Sequence, residues 1–204
     1  MKFKIIACIN NNNVLGKDNS LIYNIKNDLS NFKRITMEGV VVMGRKTWES
    51  LPKKPLPGRV NVILTSDKNF SADGAIIAHS IQEVINICEN TNRECYIIGG
   101  ASLYSSFLQL DLIDKMYITS VDDNSTGDAY FPVIGDDWNI FYESDFQHDD
   151  KTNLNYKFTI YSKKKLNCLY FCVFFNIFAK QIMIIERKEV ETTFDGKNLG
   201  CVVF

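Results

Sequence analysis

The sequence has only two histidines, His79 and His148, and none of its six cysteines (Cys8, Cys88, Cys95, Cys168, Cys172, Cys201) forms a C-x-x-C pair. Neither a zinc site nor a disulfide framework follows, and no metal is expected. Charge of one sign is also missing: 23 Lys plus Arg face 24 Asp plus Glu, a formal net charge of -1. Nucleic-acid proteins draw most of their affinity from clustered cations, so no such partner is expected for the molecule as a whole. The apolar run Ile5 to Ile9 stops at Asn10, too soon for a secretory signal. The cytosol is the expected compartment, with thiols reduced.

What is present suffices for a core. Apolar residues make up 46% and charged ones 23% of 204 residues, which fits one domain, or a domain with an appendage. Short apolar runs at Phe3 to Ile9, Val40 to Met43, Val60 to Leu64, Cys95 to Ile98 and Lys115 to Val121 predict strands. Helical spacing predicts helices over Ile25 to Thr36, Ile81 to Glu89 and Ala101 to Leu108, with a single turn at Thr47 to Ser50. The polar stretch from Asn10 to Ser20 reads as one long loop. Strands alternating with helices imply a parallel α/β sheet. Trp138 to Ser144 and Tyr156 to Ser162, with no helix between them, read as an antiparallel pair at its edge.

Two segments run from an apolar strand through glycine into a helix: Met43-Gly-Arg-Lys-Thr-Trp48 and Ile97-Ile-Gly-Gly-Ala-Ser-Leu-Tyr104. Glycine there lets a ligand approach the backbone, and the N–H groups of the helix start suit phosphate. Neither is a G-x-G-x-x-G or Walker loop, so an ordinary strand-helix turn stays open, with Arg45 and Lys46 favouring an anion. Asp28 shares a helix face with Phe32; by pattern alone it is a solvated carboxylate near a helix N-terminus.

The ordered set Val14-Leu-Gly16, Asp28-Leu29, Phe32-Lys33, Val42-Met-Gly-Arg-Lys-Thr-Trp-Glu-Ser50, Leu56-Pro-Gly-Arg59, Ile98-Gly-Gly100 with Tyr104, Tyr117-Ile-Thr119 and Gly127-Asp128 before Phe131-Pro132 resembles dihydrofolate reductase, collinearly from about residue 3 to residue 162. The resemblance implies a central, mainly parallel eight-stranded sheet with an antiparallel C-terminal edge strand, flanked by helices. It implies NADPH-dependent reduction of 7,8-dihydrofolate to tetrahydrofolate, with hydride passing from nicotinamide C4 to pterin C6 and a proton reaching N5. Antifolate inhibitors are the other expected ligands, and a monomer is expected. A related pterin or pyrimidine reductase would not need Asp28 with Phe32 and Arg59. A binding protein that keeps the fold without turnover is the third reading.

By the same resemblance Asp28 holds the pterin 2-amino group and N3, and Thr119 hydrogen-bonds that acid. Ile6, Ala7, Leu29, Phe32, Lys33 and Ile98 line the substrate, and Arg59 pairs with its glutamate carboxylate. Gly44, Arg45, Lys46 and Thr47, with Thr65 and Ser66, match the phosphate and adenine side of NADPH. Gly99 and Gly100, joined in the family by a cis peptide, continue that site through Ala101, Ser102, Leu103 and Tyr104. Cys8, Leu15, Gly16 and Asn19 match the nicotinamide end and its covering loop. One departure stands out: Leu21-Ile22-Tyr23 replaces the family's Leu-Pro-Trp. Tyr23 keeps an aromatic body and a polar hydrogen for the catalytic role, while the lost proline leaves the loop less restricted.

Leu166 to Ile185 breaks the rhythm: 20 residues carry one charge, Lys180, after three lysines. A boundary is therefore expected near Lys165, giving a reductase domain over 1–165 and an apolar extension over 166–204. Sequence appended without a selected role is the favoured reading, ahead of an extra packed element, with a membrane anchor last.

Overall fold

The computed structural model describes residues 2–164; the apolar extension lies outside the described residues. In chain order the elements are β1 (Phe3–Asn10), β2 (Val14–Lys17), β3 (Ser20–Leu21), α1 (Lys26–Thr36), β4 (Val40–Gly44), α2 (Arg45–Ser50), β5 (Val60–Leu64) and β6 (Ile76–Ala78). Then follow α3 (Ile81–Glu89), β7 (Cys95–Ile97), α4 (Ala101–Gln109), β8 (Ile113–Val121), β9 (Ala129–Tyr130), β10 (Trp138–Glu143), β11 (Gln147–Asp149) and β12 (Leu154–Lys163).

The main sheet runs β10-β12-β8-β1-β7-β4-β5-β6, with β11 paired to β12. From β8 to β6 every neighbouring pair is parallel, whereas β12 is antiparallel to both β8 and β10. The expected mainly parallel sheet is therefore present. The outermost strand on the antiparallel side is β10, and the C-terminal β12 lies inside it.

Strand alternation distributes the core between two faces. Val40, Val42, Val62 and Ile97 join Val84 of α3 and Leu103 and Phe107 of α4 in one cluster. Val41, Met43 and Ile63 turn the other way, against Trp48 of α2. Ala7 and Ile118 belong to the first cluster, so their neighbours Ile6 and Thr119 face the side of α2.

Two readings of the sequence need correction. The stretch from Asn10 to Ser20 is not one loop: β2 pairs antiparallel with β3 and β9 in a separate three-stranded sheet. Asn13, Asp18 and Asn19 adopt positive φ, which asparagine and aspartate tolerate, and so make turns that a polar tract disguises. The strand β6, Ile76 to Ala78, was not expected from the sequence. The helix α2 also starts two residues earlier than the turn expected at Thr47.

The helix α3 has its own start signal. The Ser80 side chain accepts from the Glu83 amide at 3.2 Å, and the Glu83 carboxylate accepts from the His79 amide at 2.8 Å. Such reciprocal capping satisfies amides with no partner inside the helix. Replacing Ser80 by Ala should cost about 1 kcal/mol. The expected thermal midpoint falls by about 2–4 °C with turnover per molecule unchanged, as a paired melting curve and activity assay would check.

Candidate active site

Because β1, β4, β5 and β7 run parallel, their carboxyl ends fall along one edge of the sheet, where a crevice forms between the connections that leave it. Asn10 ends β1, Gly44 ends β4, Thr65 and Ser66 follow β5, and Gly99 and Gly100 lie just beyond β7. The topology thus brings most of the expected cofactor residues to one rim.

At the middle of that rim the Gly44 amide donates to the Gly99 carbonyl at 2.8 Å, and the Gly99-Gly100 peptide is cis. A β-carbon at Gly99, where φ is +120°, would meet the Tyr104 hydroxyl at 3.4 Å and Thr47 Oγ1 at 3.6 Å. Glycine is what lets these groups close together. Tyr104 is buried in α4 and donates its hydroxyl to the Ile6 carbonyl at 2.8 Å, joining this rim to β1. Ala101 is half-buried, Ser102 exposed and Leu103 buried on the same helix.

Arg45 and Lys46 are exposed at the start of α2, with Arg45 paired to Glu49 at 3.5 Å one turn on. Thr65 is buried: its hydroxyl accepts from the Asp67 amide at 3.2 Å and its carbonyl meets His79 Nδ1 at 2.9 Å. Ser66 beside it is exposed. Two exposed cations, a serine hydroxyl and glycine backbone along one rim form a donor set suited to a polyanion such as a dinucleotide phosphate.

Across the sheet face, α1 carries Asp28 toward β8. Thr119 donates its hydroxyl to Asp28 Oδ1 at 2.6 Å. Burial pushes the Asp28 carboxyl above its ordinary value of 3.8, and the Thr119 bond offsets part of that rise. Burial first, and then the Asp28 charge, pushes the Cys8 thiol up; burial, then Cys8 and last Asp28, does the same for the Tyr104 phenol.

Of the other expected substrate residues, Phe32 is half-buried with the Arg59 guanidinium stacked 5.6 Å from its ring centre. Arg59 donates to the Pro57 carbonyl at 3.2 Å and to Thr36 Oγ1 at 3.1 Å, and burial lowers its pKa. Ala7 is buried and Ile6 and Ile98 are half-buried on their strands, while Leu29 and Lys33 are exposed on α1. A cavity of about 590 Å³ shares Ile6 and Thr119 with this face but follows the flank of α1 that bears Asn31 and Arg34.

The covering segment is β2 and β3. Gly16 is buried, Leu15 half-buried and Asn19 exposed with positive φ. A methyl group at Gly127 would overlap the Gly16 carbonyl and the Val14 side chain, so this segment rests directly on the residues leading into β9. Sequence reasoning missed the side chains that hold it. Asn10 Oδ1 accepts from the amides of Asn12 and Val14, both at 3.0 Å, and Asn10 Nδ2 donates to the Ser125 carbonyl at 2.8 Å. Asp128 Oδ2 accepts from the Asp18 amide at 3.0 Å. The Tyr23 hydroxyl reaches Asp123 Oδ2 at 2.6 Å rather than Asp28. The run of four asparagines and the Gly127-Asp128 pair were the available signals.

A carboxyl whose folded pKa is raised costs stability above the unfolded pKa, because the unfolded chain ionises first as pH rises. Asp28→Asn keeps an acceptor for Thr119 and removes that cost. Its thermal midpoint should match wild type below pH 3.8 and exceed it increasingly as pH rises toward the folded-state value. Melting curves across that range check the sign.

The family model described as dihydrofolate reductase matches residues 2–163. The chain is 35% identical over 160 residues to dihydrofolate reductase of Bacillus subtilis, covering 78% of this chain and 93% of that one. It is 36% identical over 164 residues to the enzyme of Staphylococcus haemolyticus, covering 80% and 96%. Against the enzyme of Buchnera aphidicola it is 36% identical over 167 residues, covering 81% and 99%. With the acid on α1, the glycine rim and nearly the whole length of these relatives matched, the chain belongs to the dihydrofolate reductase family.

Proposed function

We propose that Asp28 is the acid on which this protein reduces 7,8-dihydrofolate to 5,6,7,8-tetrahydrofolate, with NADPH as its reductant. The observation that carries this is a carboxyl with a raised pKa, fixed by the Thr119 hydroxyl at 2.6 Å, whose charge is felt by Cys8 and Tyr104. NADPH, when bound, supplies the hydride from its nicotinamide ring.

The chain's residues do the rest. Asp28 accepts two parallel N–H bonds from the pterin 2-amino group and N3, which fixes the ring in the plane required for transfer. Thr119 occupies one lone pair of Oδ1 and so prevents the carboxyl from rotating. As the pterin becomes cationic by protonation at N5, the Asp28 anion stabilises it. Ile6, Ala7, Leu29, Phe32 and Ile98 supply apolar walls for the ring. Arg59, anchored on Thr36 and Phe32, offers its remaining N–H groups to the glutamate carboxylate, and Lys33 adds a second cation on that side.

For the cofactor, Gly44 to Thr47 with Thr65 and Ser66 hold the adenine and phosphate side. Gly99 to Tyr104 hold the centre, and Cys8, Leu15, Gly16 and Asn19 close over the nicotinamide end. Arg45 is the cation best placed for the extra phosphate that distinguishes NADPH from NADH. Residues 166–204 carry none of these groups and form an extension beyond the reductase domain; a monomer in the cytosol fits this reading.

The direct test follows NADPH oxidation by its near-ultraviolet absorbance, with and without dihydrofolate. Oxidation only in its presence is expected, and Asp28→Asn should lose roughly 10²–10⁴-fold in turnover at neutral pH, recovering partly in acid where substrate is protonated before it binds. Near wild-type turnover would remove Asp28 from this role. Arg45→Leu should raise the Michaelis constant for NADPH by about tenfold or more and leave NADH nearly untouched. Equal losses with both cofactors would assign Arg45 to the fold. A chain ending at Lys165 should keep full activity and its thermal midpoint; a midpoint lower by about 2–4 °C or more would move the boundary.

A further inference from the structure

Two hydrogen bonds tie the same two stretches of chain. One joins Asp28 on α1 to Thr119 on β8. The other joins Tyr23, three residues before α1, to Asp123, two residues after β8. Together they close a ring in which the acid and the tyrosine sit on one side and both their partners on the other.

The tyrosine is built into this place. Its ring is buried with Ile25, Val121 and Tyr156, so the phenol cannot swing to another acceptor without breaking that cluster. Asp123 Oδ2 also accepts from the Ser125 amide at 2.9 Å, which fixes the carboxylate on its own turn. Bonds from Ser125 and Tyr23 push the Asp123 pKa down to about 2, so the carboxylate is charged wherever the enzyme works. A phenol-carboxylate bond is stronger than a neutral one, though Asp123 is half-exposed and solvent weakens it. Immediately before Tyr23 lies the covering segment, whose far end is held by Asn10 on Ser125 of the same turn. Both ends of the segment are thus moored to residues 123–125.

We propose that Tyr23 is a positioning residue acting through Asp123: their hydrogen bond clasps the joint between the covering segment and α1 to the end of β8, and so sets how well the segment closes while Asp28 is aligned. The bond stands in for the conformational restriction that a proline before Tyr23 would have given. This inference rests on the proposed reductase activity of the site.

The test compares wild type with Tyr23→Phe, Asp123→Ala, Asp123→Asn and the double variant Tyr23→Phe with Asp123→Ala. Three quantities are read on the full chain: amide hydrogen exchange over residues 14–21, the single-turnover rate of NADPH oxidation with dihydrofolate, and the rate of NADPH dissociation. In Tyr23→Phe, exchange over residues 14–21 should speed up about threefold to tenfold, single-turnover oxidation should slow and NADPH dissociation should quicken by similar factors. Exchange in the strands of the main sheet should not change. Asp123→Ala should match Tyr23→Phe, the double variant should be no worse than either, and Asp123→Asn, which keeps an acceptor, should recover most of the loss. Additive losses in the double variant, or a wild-type Asp123→Ala beside a slow Tyr23→Phe, would overturn the clasp. So would faster exchange spread evenly over the whole domain, which marks a purely structural role. Wild type without dihydrofolate-dependent oxidation would instead defeat the proposed activity, while exchange over residues 14–21 would still decide the clasp.

Discussion

The bond from Thr119 to Asp28 is the constraint around which the site is arranged. A carboxyl placed among apolar walls resists ionisation, and burial raises its pKa accordingly. Left alone it would rotate to find water. The threonine hydroxyl fixes it at 2.6 Å, and strand alternation dictates that Thr119, unlike Ile118, faces α1. Moving β8 by one residue would turn an isoleucine toward the acid, so the register with β1, which pairs Cys8 with Thr119, decides which side chain meets Asp28.

The parallel sheet supplies the second half of the arrangement. Parallel strands deliver all their outgoing connections to one edge, where a dinucleotide can lie across several strand ends. Gly44 and Gly99 meet there because β4 and β7 are neighbours, although 55 residues of chain separate them. Tyr104 then links the glycine rim to Ile6 on β1, the strand next to Thr119. The rim and the strand that faces the acid are thereby held together by the order of the strands rather than by any flexible arm.

Much of this was legible in the sequence because the deciding residues lie on periodic elements. Val40 to Met43 and Val60 to Leu64 could only be buried strands, and both are fully enclosed in the sheet. Asp28 was legible as a site only through the resemblance carried by the whole ordered motif set, since its helix position alone describes a surface carboxylate. What escaped was held by side chains contacting distant backbone. Asn10 to Asn13 have no apolar periodicity, yet Asn10 organises the amides of Asn12 and Val14 and reaches Ser125, 115 residues on. Asp123, the partner of Tyr23, carries no motif at all. Such contacts depend on which loops the sheet order brings together, and no local pattern encodes that.

The central claim, that burial outweighs the Thr119 bond and leaves the Asp28 carboxyl with a raised pKa, is open to direct measurement. Carbon-13 carboxyl NMR of the aspartates, with the Asp28 signal assigned by its loss in Asp28→Asn, gives the titration midpoint in the free protein. A midpoint above 3.8 is expected, rising further in Thr119→Val, where the hydrogen bond that favours the anion is gone. A midpoint at or below 3.8, or one that Thr119→Val leaves unmoved, would contradict it.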